Sequence, residues 1–310
     1  MGSVCGGAPG GASSVVLVPG PAPRAVRRRG AAPPVVLVLA AIGSVQFGAA
    51  VAKLLFDEIG VGGTVFLRVA LAALVLGLIW RPAVRGRGRR DLWLGAVFGL
   101  ALAGMNLSFY SALDRIPLGI AVTFEFVGPL GVAVAGSRRA LDLLWVGLAA
   151  AGILLLSDFG SADLDALGIA LALLAGGFWA AYILLGVRVG RVFPGAEGLT
   201  LAMVVAAVLL FPVGVGTAGA GLLVPWILAA ALAVAILSSA IPYSLELEAL
   251  RRLPADVFGV LMSLEPAVAS LAGYLLLDET LAAREIVAIL LVVAASAGAA
   301  RGAAIAPRDA

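Results

Sequence analysis

Apolar residues along this chain fall into ten long stretches, separated by short segments in which the charges collect. A helix needs about 20 residues at about 1.5 Å rise to cross a hydrocarbon core of about 30 Å. On that ruler spans are predicted near 35–55, 60–80, 92–112, 117–136, 142–157, 166–187, 198–217, 223–245, 254–277 and 282–300. The ten-residue alternation of outer-membrane barrel strands is absent, so each span should be a helix that satisfies its own backbone hydrogen bonds. The expected fold class is an all-α integral membrane protein of ten transmembrane helices. The Gly/Pro/Arg-rich segment 1–34 reads as a disordered cytoplasmic tail, and 301–310 as a second, short one.

The charges report orientation. With the N-terminus placed inside, 17 of the 21 basic residues fall in cytoplasmic segments, among them Arg81, Arg85, Arg87, Arg89 and Arg90. Lys53, Arg115 and Arg284 remain outside, where Asp57, Glu58, Asp158, Asp163, Asp165, Asp278 and Glu279 collect. An N-in, C-in topology satisfies every loop. The net charge of +3 is therefore a membrane signature, and no nucleic-acid partner is expected.

The chain reads as two halves. Leu113-Asp114-Arg115-Ile116-Pro117 parallels Leu250-Arg251-Arg252-Leu253-Pro254, and Pro129 parallels Pro266 at the same offset. Five spans per half is an odd number, so the second copy (166–300) must enter the membrane inverted relative to the first (35–158). Inverted repeats provide a route to alternating access around a central site. A passive channel does not need that symmetry.

Composition narrows the chemistry. Hydrophobic residues are 62% of the chain and charged residues 13%, so lipid is the solvent. There is no histidine, and Cys5 is the single cysteine. Disulfides, Cys/His metal sites, Ser-His-Asp catalysis and histidine proton relays drop out, as does a GxxxxGK[ST] nucleotide loop. Neither an enzyme nor a cofactor or metal is expected, and any proton chemistry must run on carboxylates.

Glu125 and Glu265 lie mid-way along spans four and nine, where an ionised group on a lone helix costs about 2.5–3.5 kcal/mol. They should face the interior and serve as proton or substrate sites; a protonated acid bonded to a neighbouring helix is the alternative. Pro129 and Pro266 each remove a backbone donor, releasing the carbonyls of residues 125 and 262, with Gly128 admitting close approach. These three residues mark either a cavity-lining break or a packing kink. Arg68 on span two is a candidate clamp for a substrate carboxylate, or else snorkels or pairs structurally. Asn106 and Tyr110 share a face of span three, and Ser238, Ser239, Tyr243 and Glu246 gather on span eight, with Gln46 and Tyr182 as weaker candidates. Such groups either orient a solute or join helices. Trp179 and Phe178 read as packing before cavity lining. Gly95-x-x-x-Gly99 signals close helix contact, which packing within one bundle explains as well as dimerisation does.

The stretches Pro117–Leu130, Gly177–Leu184, Ala235–Glu246 and Phe258–Ala267, with Ser137-Arg138-Arg139, resemble the drug/metabolite transporter superfamily with two EamA-type repeats, and within it the bacterial threonine/homoserine exporter group. That resemblance implies a ten-helix bacterial inner-membrane efflux carrier. It would move small polar metabolites or amino acids outward through a central cavity, against entering protons. An exporter of lipophilic drugs is the alternative within the same fold; an apolar cavity would favour it, and an Arg–carboxylate pair would favour a zwitterion.

Overall fold

A computed structural model describes residues 32–82, 86–135, 140–156, 165–250, 252 and 261–304. The N-terminal tail to residue 31, Ser137-Arg138-Arg139, Asp158, Asp163, Arg85, Arg251, Pro254 and Phe258–Val260 lie outside them.

The described elements are helical. They are α1 (Pro34–Lys53), α2 (Phe56–Trp80), α3 (Arg89–Leu113), α4 (Leu118–Glu125), α5 (Val127–Ala135), α6 (Ala140–Leu156), α7 (Ala166–Val192) and α8 (Glu197–Ala218). A 3₁₀ turn (Gly219–Leu223) leads to α9 (Pro225–Ala235), a π turn (Ile236–Ala240) and α10 (Ile241–Leu250), and α11 (Glu265–Leu276) and α12 (Ala283–Ala304) follow. Among the described residues six helical runs are long and apolar enough to cross a membrane, those of α1, α2, α3, α7, α8 and α9–α10, and 118–132 is a shorter apolar one. Leu78, Val208 and Leu290 stand more than half exposed on their outer faces, an arrangement suited to lipid.

Prolines start several helices and interrupt others. Pro34 and Pro225 open α1 and α9 in the first turn, where no N–H is required. Inside a span the same residue takes a donor from the carbonyl four positions earlier. Pro129 strips Glu125, and the fourth span breaks at Phe126 into α4 and α5. Pro242 strips Ser238, and the eighth span widens there into the π turn. Pro266 strips Met262, and the helix yields to a turn at 263–264 before α11 begins. Within α2, Gly60 at φ 67° ends a first turn, so the continuous helix starts where the sequence pattern places it.

Packing pairs each helix of the first half with helices of the second. α2 lies on α8, α4 on α11 and α6 on α12. α1 packs on α10 and α11, α3 on α7 and α8, α2 on α9, and α4 and α5 on α7. The Gly95-x-x-x-Gly99 face belongs to one of these contacts: Gly95 meets Leu201 and Gly99 meets Val205 of α8, within the bundle. The closest crossing is at Gly128 and Gly176, where α5 and α7 touch backbone to backbone and a methyl group on Gly176 would come within 2.5 Å of the Glu125 carbonyl oxygen. The carbonyl released by Pro129 is therefore covered by α7. Trp179 stands edge-on to Phe126 at 5.5 Å and Phe178 covers Gly104, so both aromatic residues pack.

Candidate functional site

The polar centre of the bundle is built on Arg68. It does not snorkel: it is 4% exposed and turned inward from α2. Its Nη1 donates to Asn106 Oδ1 on α3, and its Nη2 donates to the Ser238 carbonyl at 2.9 Å. That carbonyl is the one whose usual α-helical donor Pro242 removes, and the guanidinium donates to it. Ser44 Oγ of α1 donates to the next released carbonyl, Leu237 O, at 2.6 Å. Asn106 is held in turn by its Nδ2, which donates to Leu102 O at 2.8 Å. Tyr110, one turn further along α3, presents its ring to the Arg68 guanidinium, 5.1 Å from the ring centroid.

Five buried polar atoms among the described residues lack a well-formed hydrogen bond: Gln46 Oε1, Arg68 Nε, Tyr110 Oη, Ser238 Oγ and Ser239 Oγ, with the Tyr110 hydroxyl in loose reach of Ser238 and Arg68. Each such atom costs about 1–3 kcal/mol when left unmade. Four of them surround the π turn. Gln46 is buried on α1, one and two turns along the face of Ile42 and Val38. A cluster of unused donors and acceptors in a lipid-bathed bundle is a place for solute or water.

Three carboxyls complete the centre. Glu125 and Glu265 are buried, and Glu125 lies within electrostatic reach of Arg68. Glu265 senses both Glu125 and Glu246. Tyr243 joins the two groups, sensing Arg68, Glu246, Tyr110 and Glu125, and Tyr182 senses Tyr243 and Glu246 while its ring stacks on Phe98 at 4.8 Å. Arg68, Asn106, Tyr110, Glu125, Tyr182, Ser238, Tyr243, Glu246 and Glu265 are thus linked by contacts or electrostatic reach, Ser239 adjoins Ser238 in the π turn, and Gln46 is buried on α1 without a hydrogen bond to them. Tyr182, Tyr243 and Glu246 lie deep yet are only half-buried. A cleft of about 190 Å³, lined by Leu76, Trp80, Leu199, Tyr243, Ser244 and Glu248, reaches Tyr243 from the end where α2 stops and α8 starts. A larger apolar groove of about 610 Å³ between α2 and α8 is lined by exposed Leu74, Leu78, Val208 and Phe211 and faces outward, away from the charged groups.

Ion pairs join the helix ends. Arg87 pairs with Glu197 at 2.7 Å, donates to Val192 O at 3.3 Å and lies over the Phe193 ring. At the opposite end Arg115 pairs with Asp165 at 2.6 Å, and Asp165 also caps α7 by accepting from Leu167 N and Gly168 N. The Arg115 guanidinium, with these two amides, holds the Asp165 carboxyl below its ordinary value. Lys53 pairs with Glu279 at 2.7 Å. Sequence reasoning missed the π turn and the Lys53–Glu279 pair. The first had a signal, Ser-Ser just ahead of Pro242; the second, 226 residues apart, had none beyond its charges.

Residues 166–301 match the EamA-like transporter family. Two proteins named threonine/homoserine exporter RhtA, from Salmonella typhimurium strain LT2 and Escherichia coli strain K12, are each 44% identical over 268 residues, covering 86% of this chain and 90% of theirs. A crystal structure 19% identical in sequence shares the fold at a TM-score of 0.54, over 86% of this chain and 98% of that one. The chain belongs to the EamA-like transporter family within the drug/metabolite transporter superfamily, and is RhtA-like.

Proposed function

We propose that this protein exports small amino acids of the threonine or homoserine kind, or related zwitterionic metabolites, across the bacterial inner membrane in exchange for protons. The observation that carries the reading is the inward cluster of Arg68, three carboxyls and the incompletely bonded polar groups of Arg68, Tyr110, Ser238 and Ser239. Opposite charges side by side suit a zwitterion better than a lipophilic cation, and the names of the relatives point the same way.

The carrier consists of ten spans in two inverted five-helix repeats, 35–158 and 166–300, with both termini inside. Helix packing supports the pseudo-dyad. Exchanging the halves turns the α1–α10 contact into α3–α7, α3–α8 into α2–α9, and α1–α11 into the contact of α4 and α5 with α7; the remaining principal pairs, α2–α8, α4–α11 and α6–α12, map onto themselves. Two such halves can exchange conformations around a fixed centre.

In the mechanism, Glu265 and Glu125 ionise toward the cytoplasm and hold the ammonium group of the substrate. Arg68 Nε and the hydroxyls of Tyr110, Ser238 and Ser239 orient its polar groups. After the change of access, protons entering from outside neutralise the acids and the ammonium leaves. The test is efflux from proteoliposomes of threonine, homoserine and a cationic dye, with and without a pH gradient. Amino-acid efflux accelerated by the gradient is expected; dye efflux alone would select the drug-export reading, and non-saturable flux would select a channel.

A further inference from the structure

The two ends of the bundle differ. At the end holding Tyr243 and Glu248 a cleft enters. At the other end Leu55, Phe56, Ile59, Leu113, Ile116 and Leu118 are all buried and seal the core. One side chain straps this seal from above. Glu279 gives one carboxylate oxygen to Lys53 Nζ at 2.7 Å, at the end of α1, and the other to the backbone N–H of Leu118 at 2.8 Å, the first residue of α4. Leu118 N is one of the amides left without an intrahelical acceptor, and the α4 N-cap, Pro117, offers no side-chain bond. Glu279 therefore caps, from the second half of the chain, the helix that carries Glu125.

The backbone aims it there. The amides of Leu277 and Glu279 both donate to Gly273 O, at 2.9 and 3.2 Å, and Asp278 adopts φ 53° between them, folding the chain back over the end of α11. The Glu279 carboxylate then lies across Gly273, where any side chain would strike it.

We infer that Lys53 and Glu279 form the latch of the outer gate: the pair holds α1 and α4 against the loop after α11 while the opposite end is open, and it separates for substrate release. Both side chains keep some exposure, 25% for Lys53 and 13% for Glu279, so the pair is weak enough to break in each cycle. They are positioning residues, acting through the ends of α1 and α4. The inference rests on the carrier reading above.

The test uses the full chain in proteoliposomes with Cys5→Ala and a reporter, Ala121→Cys, buried between Leu118 and Glu125 on the face of α4 that bears Glu125. A membrane-impermeant maleimide is added on the Lys53/Glu279 side. Labelling should be slow in this background and accelerate about five-fold in Lys53→Met and in Glu279→Gln, as loss of a partly exposed ion pair shifts a two-state equilibrium. Lys53→Arg should label slowly. Glu279→Gln keeps an acceptor for Leu118 N, so it reports on the ion pair even if Lys53→Met fails to fold. Unchanged labelling in the folded variants, or equal acceleration by Lys53→Arg, overturns the latch. Labelling needs neither substrate nor gradient, so an absence of coupled flux in the unaltered chain would refute the carrier reading and leave this outcome to stand or fall separately.

Discussion

Arg68 occupies a position created by a proline. Its guanidinium serves a side-chain amide and a backbone carbonyl at once, and a lysine ammonium cannot reproduce that fork. Arg68→Lys should therefore leave Ser238 O without a donor and destabilise the protein by about 1–3 kcal/mol. Adding Pro242→Ala restores an N–H that can reach Ser238 O, so the double variant should recover part of the loss. Thermal melting in detergent checks both; a double variant no more stable than Arg68→Lys alone would remove this account of the π turn. The sequence marked Arg68, Ser238 and Ser239 as candidates because polar groups in lipid need partners. It did not tell that a main-chain oxygen would be one of those partners, because that depends on a helix 170 residues away.

At the scale of elements, the breaks at Pro129, Pro242 and Pro266 have local causes, and several crossings depend on a small residue. Gly128 meets Gly176 so closely that a methyl group on Gly128 would overlap the Gly176 carbonyl, whereas a methyl group on Gly131, three residues on, meets nothing within 4 Å. Gly128→Ala should cost about 1–3 kcal/mol or more through overpacking. Gly131→Ala should be neutral or gain up to about 1 kcal/mol from helix propensity. The pair is measured by monodispersity and melting temperature; equal behaviour would mean that α5 and α7 do not cross there. The helical runs were legible because apolar length is a one-dimensional property. The α4–α5 break was legible in part: Pro129 announces a kink, but its released carbonyl meets Gly176 and does not open onto a cavity.

At the scale of the whole molecule, Glu125 of α4 lies in the field of Arg68 of α2, and Glu265 of α11 in the fields of Glu125 and of Glu246 of α10. In the proposed mechanism Glu125→Gln and Glu265→Gln each remove a proton-exchanging group while keeping size and hydrogen-bonding capacity. Each should reduce the acceleration of efflux by a pH gradient, by at least about ten-fold for Glu265, in line with general acid–base groups being worth about 10²–10⁴ in rate. Exchange of substrate at equal pH should fall less than gradient-driven efflux, because the remaining carboxyl still holds the ammonium. Undiminished gradient-driven flux in both variants would end the mechanism.

What the sequence determined by itself was the solvent, the helical class, the family and the identity of the residues to watch, because hydrophobic length, charge placement and proline spacing are written along one chain. Tertiary structure alone decided who meets whom. It put Arg68 on the carbonyl released by Pro242, strapped Lys53 and Leu118 together with Glu279, and sealed one end while a cleft entered the other. Those contacts join residues far apart in the chain, and their energies exist only once helices from both halves are packed.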